Sequence, residues 1–314
     1  MKILVTGGAG FIGSEFVRQL VKANIEVNVI DSLTYAGNLT SIQDVLANIQ
    51  FENIDIKNKE KLEEYFKKET FDVVVNFAAE THVDNSISSP NIFVETNIIG
   101  TFNLLELARI YDFKFLQIST DEVYGSIKKG AFYENSNLNP SSPYSATKAS
   151  AELLMNAYVS TYNVRALGVR CSNNYGPFQN AEKLIPRFIS LATSGHKLPL
   201  YGTGTNVREW IHVSDSVEGI ITVLKHGRIG EYYNISSGIF KENLEVTMSI
   251  LEYFGFDESQ VEFVEDRLGH DFRYAINSDK IRKELGWTPK IDFEDGLKST
   301  IEWYISNPTY LDRK

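Results

Sequence analysis

The stretch "KILVTGGAGFIG" near the N-terminus constrains the fold more than any other feature of the sequence. An apolar, β-branched run ends at Thr6, glycines stand at positions 7, 10 and 13, and an apolar helical pattern follows. Glycines let the backbone turn sharply and approach a pyrophosphate, whose charge meets free N–H groups at a helix N-terminus. The stretch therefore predicts a dinucleotide-binding turn between a strand and a helix of a parallel sheet.

The first half of the chain repeats this alternation of strand and helix patterns. Apolar runs that predict buried strands are "EVNVID", "IQFENIDI", "FDVVVNFAA", "KFLQIST" and "VRALGVRC". Such runs, separated by helices, are typical of a doubly wound α/β domain with a parallel, Rossmann-like sheet. We expect this domain over residues 1–172, a smaller mixed α/β domain over 173–314, and a segment around 210–236 that rejoins the first domain.

Composition narrows the class of protein. The 314 residues are 43% hydrophobic and 23% charged, as in globular chains, and their net charge of −10 argues against nonspecific nucleic-acid binding. Cys171 is the single cysteine and the five histidines lack zinc-site spacing, so we expect neither a disulfide nor a metal. Without a long apolar run or a signal peptide, the sequence predicts a cytoplasmic protein that does not bind membranes.

Asp31 indicates which dinucleotide the turn would bind. It closes the second predicted strand about 20 residues after the glycines, where an acid accepts hydrogen bonds from a ribose diol and repels a 2′-phosphate. NAD is therefore favoured over NADP, although Asp31 could instead cap the turn "DSLT". Asp55 could meet the adenine or act as a cap. In "NFAAETHVD", small residues could admit the cofactor or reflect tight packing, and we expect His82 to be structural.

"SPYSATKASAELL" supplies a candidate catalytic pair. Proline opens a helix on which Tyr144 and Lys148 lie one turn apart on the same face. A neighbouring ammonium and a cationic nicotinamide ring would lower the pKa of Tyr144 and make it a base. The pair alone is a common pattern on helix surfaces, so its meaning depends on the preceding dinucleotide turn.

Together, the Gly-x-x-Gly-x-x-Gly turn and Tyr144-x-x-x-Lys148 resemble the extended short-chain dehydrogenase/reductase family, whose members mostly act on nucleotide sugars. The resemblance implies that Tyr144 deprotonates a sugar hydroxyl, that Thr120 hydrogen-bonds the same hydroxyl, and that Lys148 holds the ribose of NAD. The residues expected to contact NAD are Gly7, Gly10, Phe11, Ile12, Gly13, Asp31, Ser32, Leu33, Thr34, Asp55, Ile56, Phe77, Ala78, Ala79, Thr81, Thr96, Tyr144, Lys148 and Asn174.

Two adjacent acids, Asp121 and Glu122, end the strand in "QISTDEVYG". Oxidation of a sugar at C4 makes its C5 hydrogen acidic, so a base together with an acid for the C6 hydroxyl could expel water. Adjacent carboxyls in different surroundings can hold the required protonation states. A capped, solvated loop is the other interpretation of the pair.

Within the family, "STDEVYG", "SPYSATKA", "RCSNNYGPFQ", "EKLIP", "NVREW" and "DRLGHDFRYAIN" resemble the dTDP-glucose 4,6-dehydratases. The resemblance implies that Glu122 abstracts the C5 proton, that Asp121 protonates the leaving C6 hydroxyl, and that the hydride held by tightly bound NAD returns to C6. The product from dTDP-glucose would be dTDP-4-keto-6-deoxyglucose, an intermediate of deoxysugar biosynthesis. The resemblance further suggests rhamnose-containing cell-surface polysaccharide as an end use, and a homodimer.

An acidic protein that binds a nucleoside diphosphate needs local cations, and the arginine fork matches phosphate oxygens. By resemblance, the substrate residues are Thr81, Thr120, Asp121, Glu122, Asn173, Lys183, Leu184, Pro199, Tyr201, Arg208, Asn243, Arg267 and His270. Asn85, Leu268 and Phe272 depart from the residues that are frequent in the family. These departures bear on the nucleotide base and on local loops and leave the reaction unaffected.

Three alternatives remain open at this point. One is a UDP-glucose 4,6-dehydratase. Another is a nucleotide-sugar 4-epimerase or decarboxylase, which would share the glycines, Tyr144 and Lys148 but usually lacks the acid pair. The third, from another class, is an NAD-sensing regulatory protein, for which a broken catalytic set would be expected although this one is intact.

Overall fold

The computed structural model describes residues 1–266 and 270–311. Its strands are β1 Lys2–Thr6, β2 Glu26–Asp31, β3 Gln50–Asn53, β4 Val73–Asn76, β5 Lys114–Thr120, β6 Ala166–Cys171, β7 Asn173–Tyr175, β8 Leu198–Tyr201, β9 Val207–His212, β10 Tyr232–Ile235, β11 Phe240–Glu242 and β12 Val261–Val264. Its helices are α1 Phe11–Lys22, α2 Lys59–Lys68, α3 Val83–Ser88, α4 Pro90–Phe93, α5 Thr101–Tyr111, α6 Pro143–Tyr162, α7 Leu184–Thr193, α8 Val213–His226, α9 Asn243–Tyr253, α10 Asp279–Leu285 and α11 Phe293–Ser306. Among these described helices, none has the length and apolar composition required to cross a bilayer.

A seven-stranded parallel sheet forms the larger layer, in the order β10-β6-β5-β4-β1-β2-β3. Alternate residues of β1 show how both its faces are covered. Ile3 and Val5 pack into a core cluster with α1 and α8, whereas Leu4 packs into a second cluster with α2, α5 and α6. The predicted doubly wound α/β fold is confirmed. Because the strand order reverses between β1 and β4, a crevice opens at the carboxyl edge between them.

The edge strand differs from its prediction. The sequence predicts a buried strand over "IQFENIDI", but β3 covers only Gln50–Asn53 and is mostly exposed. It lies at the end of the sheet and pairs only with β2, so solvent reaches the side that a central strand would bury.

A smaller layer follows β6. It contains the sheet β11-β9-β7 and the parallel pair β12-β8, with α7, α9 and α11 packed around a separate core that includes Phe188, Leu251 and Leu297. The chain then returns to the larger layer, where α8 contacts α1 and β10 pairs with β6. Residues 210–212 differ from the rest of the segment 210–236, because they belong to β9 in the smaller sheet. The domain division at residues 172 and 173 stays a prediction.

Candidate active site

The turn between β1 and α1 is built around glycines that have no room for a side chain. Gly7 has a φ of +69°, and a Cβ on it would lie 2.5 Å from the Ala78 nitrogen. A Cβ on Gly13 would lie 2.3 Å from the Gly7 carbonyl oxygen. The turn and the loop after β4 can pack this closely only without those side chains, which leaves the N-terminus of α1 open to the crevice.

Asp31 connects the end of β2 to this turn. Its Oδ2 accepts a hydrogen bond from the Ala9 nitrogen at 3.0 Å, and its Oδ1 accepts one from the Leu33 nitrogen at 2.8 Å. The hydrogen bond from Leu33 shows that Asp31 caps the turn "DSLT", which is one of the two roles expected from the sequence. Through the hydrogen bond from Ala9, Asp31 also fixes the glycine turn. Burial raises the pKa of Asp31, against the effect of these two backbone donors. The carboxyl also lines the crevice, where a ribose diol could meet it.

The crevice, here called the first cleft, contains nearly all the residues expected to bind the cofactor. Those that line it are Gly7, Gly10, Phe11, Ile12, Gly13, Asp31, Ser32, Thr34, Asp55, Ile56, Phe77, Ala78, Ala79, Thr81, Thr96, Tyr144, Lys148 and Asn174. Leu33 is the exception, because its side chain packs against the core cluster of α1 and α8. Its contact with the cofactor stays a prediction.

Buried polar atoms in the wall of the first cleft lack partners. Ser119 Oγ, Ser172 Oγ, Asn174 Oδ1 and Gln179 Oε1 have no hydrogen-bond partner among the described residues, and all four residues line the cleft. Burying such atoms without partners is costly, so they are available to a polar ligand. Together with the glycine turn and Asp31, they fit a dinucleotide such as NAD.

The acid pair lies where β5 ends at the first cleft. Thr120 begins the short 3-10 turn Asp121–Tyr124, and its Oγ1 accepts a hydrogen bond from the Glu122 nitrogen at 3.3 Å. Asp121 is only 3% exposed, and its Oδ2 has no hydrogen-bond partner among the described residues. Burial, then the charges of Glu122 and Glu209, raise the pKa of Asp121 well above 3.8. The geometry therefore favours a protonated Asp121 beside Glu122.

Helix α6 brings the tyrosine and the lysine to the same place. Ser142 caps its start with a capping box and Pro143 is its first residue. Lys148 is buried and its Nζ donates a 2.6 Å hydrogen bond to the Ile118 carbonyl oxygen on β5. Burial lowers the pKa of Lys148 to about 8.

The protein alone raises the pKa of Tyr144. Burial has the largest effect, and the charges of Glu122 and Asp121 raise this pKa further. A hydrogen bond with Thr120 opposes these effects. The lowered pKa predicted for an ammonium together with a cationic nicotinamide ring stays a prediction. In this environment the protein alone does not make Tyr144 a base, so a positive charge in the first cleft is required for that role.

A second cleft adjoins the first and contains most of the residues expected to bind the sugar nucleotide. Thr81, Glu122, Asn173, Lys183, Leu184, Pro199, Tyr201, Arg208, Asn243 and His270 line it. Thr81, Glu122, Asn173 and Lys183 line the first cleft as well and form a common wall. Thr120 and Asp121 line the first cleft only. Arg267 and Leu268 lie outside the described residues.

The cations of the second cleft are held by the protein's own oxygens. Arg208 Nη2 donates to the Asp271 carbonyl oxygen at 3.0 Å, and Lys183 Nζ donates to the Thr81 carbonyl oxygen at 3.2 Å. His270 Nδ1 lies 2.6 Å from Asp266 Oδ1. His82 Nδ1 accepts a hydrogen bond from the Asn85 nitrogen, so it caps α3.

Sequence reasoning assigned no role to Tyr35, Glu182 and Tyr274. Tyr35 and Glu182 line the second cleft, and the Tyr274 ring lies 4.4 Å from the Arg208 guanidinium. The charge of Glu122 helps to raise the pKa of Tyr274, after the larger effect of burial, so this phenol lies near the acid pair. Glu182 and Tyr274 fall within "EKLIP" and "DRLGHDFRYAIN", so the signal for both was present in the sequence.

Comparisons with known proteins agree with this geometry. The low-salt glycan biosynthesis protein Agl12 of Haloferax volcanii is 50% identical over 98% of this chain and 99% of its own length. A dTDP-glucose 4,6-dehydratase of Mycobacterium tuberculosis is 46% identical over 99% of this chain and 95% of its own length. The crystal structure of DesIV, a dTDP-glucose 4,6-dehydratase from Streptomyces venezuelae with NAD bound, superposes with a TM-score of 0.97 at 46% identity and covers 99% of both chains.

The family comparison covers almost the whole chain. Residues 4–300 match the family model described as GDP-mannose 4,6 dehydratase. The match extends from β1 through the acid pair and α6 into α11, so it includes the first cleft and most of the second. The chain therefore belongs to the GDP-mannose 4,6 dehydratase family.

Proposed function

We propose that the protein is an NAD-dependent dTDP-glucose 4,6-dehydratase, a hydro-lyase that converts dTDP-glucose into dTDP-4-keto-6-deoxyglucose. The observation that carries the proposal is the buried Asp121 with the half-buried Glu122, beside Thr120, Tyr144 and Lys148. The dehydratases at 46% identity and the NAD-bound structure of DesIV support both the reaction and the cofactor.

The position of each side chain in the two clefts indicates its role in the proposed reaction. Bound in the first cleft, NAD would supply the redox chemistry, as a hydride acceptor for C4 of the sugar and a hydride donor for C6. Tyr144 removes the proton of the C4 hydroxyl, assisted by its hydrogen bond to Thr120 and by a positive charge in the first cleft. Lys148 fixes the ribose, and Arg208 and Lys183 lie where they can meet the diphosphate.

The acid pair then eliminates water. With C4 oxidised, Glu122 takes the proton from C5, the C6–O bond breaks, and Asp121 gives its proton to the departing hydroxyl. The raised pKa and the unpaired Oδ2 of Asp121 support its role as the acid. After hydride return to C6, Glu122 gives C5 a proton that has exchanged with solvent. Tyr144 releases the proton of the C4 hydroxyl to solvent, and solvent restores the proton of Asp121.

The acid pair also separates this proposal from the sibling enzymes. A 4-epimerase needs Tyr144, Thr120 and Lys148 but has no step for a buried proton donor next to a base. A regulatory NAD sensor needs at most Tyr144 and Lys148, to hold the cofactor, and has no use for the acid pair. We therefore place the dehydratase first and treat the other activities as outcomes of the test.

The test is incubation of the purified protein with dTDP-glucose and, separately, UDP-glucose in deuterated water. We expect loss of one water and deuterium at C5 with dTDP-glucose, seen by mass spectrometry and NMR. Conversion of glucose to galactose without water loss would make the protein an epimerase. Faster water loss from UDP-glucose would change the assigned nucleotide, and no turnover of either would favour a sensor.

Glu122→Gln tests the division of roles. This variant should still oxidise C4, which is visible as the absorbance of reduced nicotinamide, while water elimination falls by about 10²-fold or more because no base takes the C5 proton. Elimination at the wild-type rate would show that another residue is the base.

We also propose that the protein forms a homodimer through α5 and α6, which pack against each other. Exposed apolar side chains occur on and beside these helices, namely Ile99, Phe102, Leu153 and Tyr162. Clusters of this kind are typical of interfaces. A cytoplasmic location, and rhamnose for cell-surface polysaccharide as the end use, stay predictions from the sequence.

A further inference from the structure

Arg170 lies outside the residues that the proposed mechanism uses, yet it contacts both catalytic elements. It is on β6, its side chain is buried, and its guanidinium lies between two aromatic rings. The distance to the Tyr124 ring centroid is 4.7 Å and the distance to the Tyr232 ring centroid is 4.4 Å. This position, on the strand next to β5, places the guanidinium behind the acid pair.

One side of the guanidinium holds helix α6. Arg170 Nε lies 3.1 Å from each carboxylate oxygen of Glu152, and Nη2 lies 2.6 Å from Glu152 Oε2. Glu152 is fully buried and follows Lys148 by one helical turn, so Tyr144, Lys148 and Glu152 share one face of α6. The ion pair therefore fixes the helix that carries the tyrosine and the lysine.

The other side holds the turn that carries the acid pair. Arg170 Nη1 donates to the Tyr124 hydroxyl and, at 3.0 Å, to the Glu134 carbonyl oxygen. Tyr124 is the last residue of the turn Asp121–Tyr124, and its hydroxyl donates to Asn234 Oδ1 at 2.9 Å. Thr120 fixes the start of this turn through its bond with Tyr144, and Tyr124 fixes the end.

The charge of Arg170 and the proton of Tyr124, on which this connection depends, are both stabilised by their surroundings. Burial acts to lower the pKa of Arg170, but the Glu152 carboxylate and the Tyr124 hydroxyl more than offset this and raise it. Burial likewise raises the pKa of Tyr124 to about 12, so the phenol stays a neutral donor to Asn234. A planar guanidinium can bond the carboxylate and the phenol at once, which the single ammonium of a lysine does poorly.

We propose that Arg170 is a positioning residue for water elimination, a proposal that rests on the proposed function. It holds the Asp121–Glu122 turn at a fixed distance from Tyr144 and Lys148. Oxidation at C4 depends on Thr120 at the end of β5, on Tyr144, which hydrogen-bonds Thr120, and on Lys148, which hydrogen-bonds the Ile118 carbonyl oxygen of β5. Elimination additionally requires Glu122 and Asp121 to reach C5 and C6 of the same sugar, so it depends on the link through Tyr124.

Tyr124→Phe breaks this link with little change in shape, and Tyr232→Phe is its matched control. Both tyrosines contact the Arg170 guanidinium, and both lose a buried hydroxyl while keeping the ring. The Tyr232 hydroxyl donates to the Glu152 carbonyl oxygen at 3.2 Å, so its loss does not touch the acid-pair turn. Thermal melting of both variants checks that their losses of stability are comparable.

We expect Tyr124→Phe to slow water elimination by about 10-fold or more, because small misplacements of catalytic groups are costly. Oxidation at C4 and KM should change little, so the steady-state fraction of reduced nicotinamide rises. Hydrogen–deuterium exchange in the Asp121–Tyr124 turn should also become faster in this variant. Tyr232→Phe should keep elimination within about twofold of wild type and leave exchange in the turn unchanged.

Equal effects of the two variants on elimination and on exchange would overturn the proposal. If Tyr124→Phe does not fold, Arg170→Lys replaces it, and the same shift toward reduced nicotinamide is expected. If the wild-type protein does not dehydrate dTDP-glucose, the proposed function fails. The exchange rates of the turn in the variants still decide whether Arg170 holds it.

Discussion

At the scale of the residue, Asp121 shows what a sequence conveys and what it cannot. The letters "STDEVYG" were enough to predict an acid pair at the end of a strand, because a polar pair directly after an apolar run is visible in the sequence. The sequence does not show that burial makes Asp121 the acid and leaves Glu122 to be the base. Asp121 is enclosed and Glu122 is partly open. The charge of Glu209, which is distant in the sequence, also helps to raise the pKa of Asp121.

The raised pKa of Asp121 gives a pH dependence with a definite sign. Between the ordinary value of 3.8 and the raised folded value, the folded protein binds more protons than the unfolded protein. The free energy of unfolding therefore falls as pH rises through this window. Asn resembles the protonated carboxyl, so Asp121→Asn should gain Tm relative to wild type as pH rises, while elimination falls by about 10²-fold or more.

Thermal melting of both proteins at several pH values measures this effect. Asp257→Asn is the control, because the pKa of this surface acid is lowered, mainly by hydrogen bonds from Ser259. Above the ordinary value of 3.8, its Tm difference from wild type should be small and should not change with pH, because the stabilisation from a lowered pKa is fully present there. A constant Tm difference between Asp121→Asn and wild type across the pH range would contradict the assigned direction.

At the scale of the element, the π-helical turn Val94–Gly100 joins two parts of the site. Asn97 accepts a hydrogen bond from the Glu80 nitrogen at 2.9 Å and donates to the Glu80 carbonyl oxygen at 3.1 Å and to Thr147 Oγ1 at 2.9 Å. It thereby connects the loop after β4 with α6. Sequence pattern alone does not reveal a π turn, because such a turn depends on packing that the pattern does not contain.

Asn97→Ala should remove the hydrogen bonds that connect the loop after β4 with α6. Each buried partner left unpaired costs about 1–3 kcal/mol, so we expect a lower Tm together with loss of copurified NAD. The NAD content of the purified protein and its Tm are the two measurements. Asn28→Ala is the control, because Asn28 donates to Gln50 and Tyr65 and lies outside both clefts.

The two variants are expected to differ in NAD content and to agree in lowered Tm. Retention of NAD by Asn97→Ala at the wild-type level would show that the loop after β4 holds its position without this link.

At the scale of the whole molecule, the parallel sheet was predictable, whereas the return of the chain to it could be placed only approximately. Apolar strands alternating with helices predict a parallel sheet from local pattern alone. The pairing of β10 with β6 joins segments far apart in sequence, so its start could be placed only approximately. The second cleft was difficult to predict for the same reason, because the residues that line it come from β7, β8, β9 and the loops around them, which are far apart in sequence.

The proposed homodimer is tested at this scale. Leu153 on α6 is 61% exposed, so Leu153→Glu should convert the dimer into a monomer in sedimentation velocity without lowering the Tm of the isolated chain. Phe263→Glu, on β12, is the control, since Phe263 is also exposed but lies away from α5 and α6. A dimer that persists in Leu153→Glu would place the interface elsewhere, and a monomeric wild type would remove the proposal.

The common wall of the two clefts, formed by Thr81, Glu122, Asn173 and Lys183, has a kinetic consequence. A sugar nucleotide in the second cleft lies against the wall behind which the cofactor is held, so cofactor exchange and sugar release are coupled. A substrate analogue without a leaving group at C6 would stop halfway and keep the enzyme in its reduced form. Such analogues should therefore act as slow, time-dependent inactivators. The number of turnovers that one enzyme molecule completes is then limited by how often a reaction stops after the oxidation at C4.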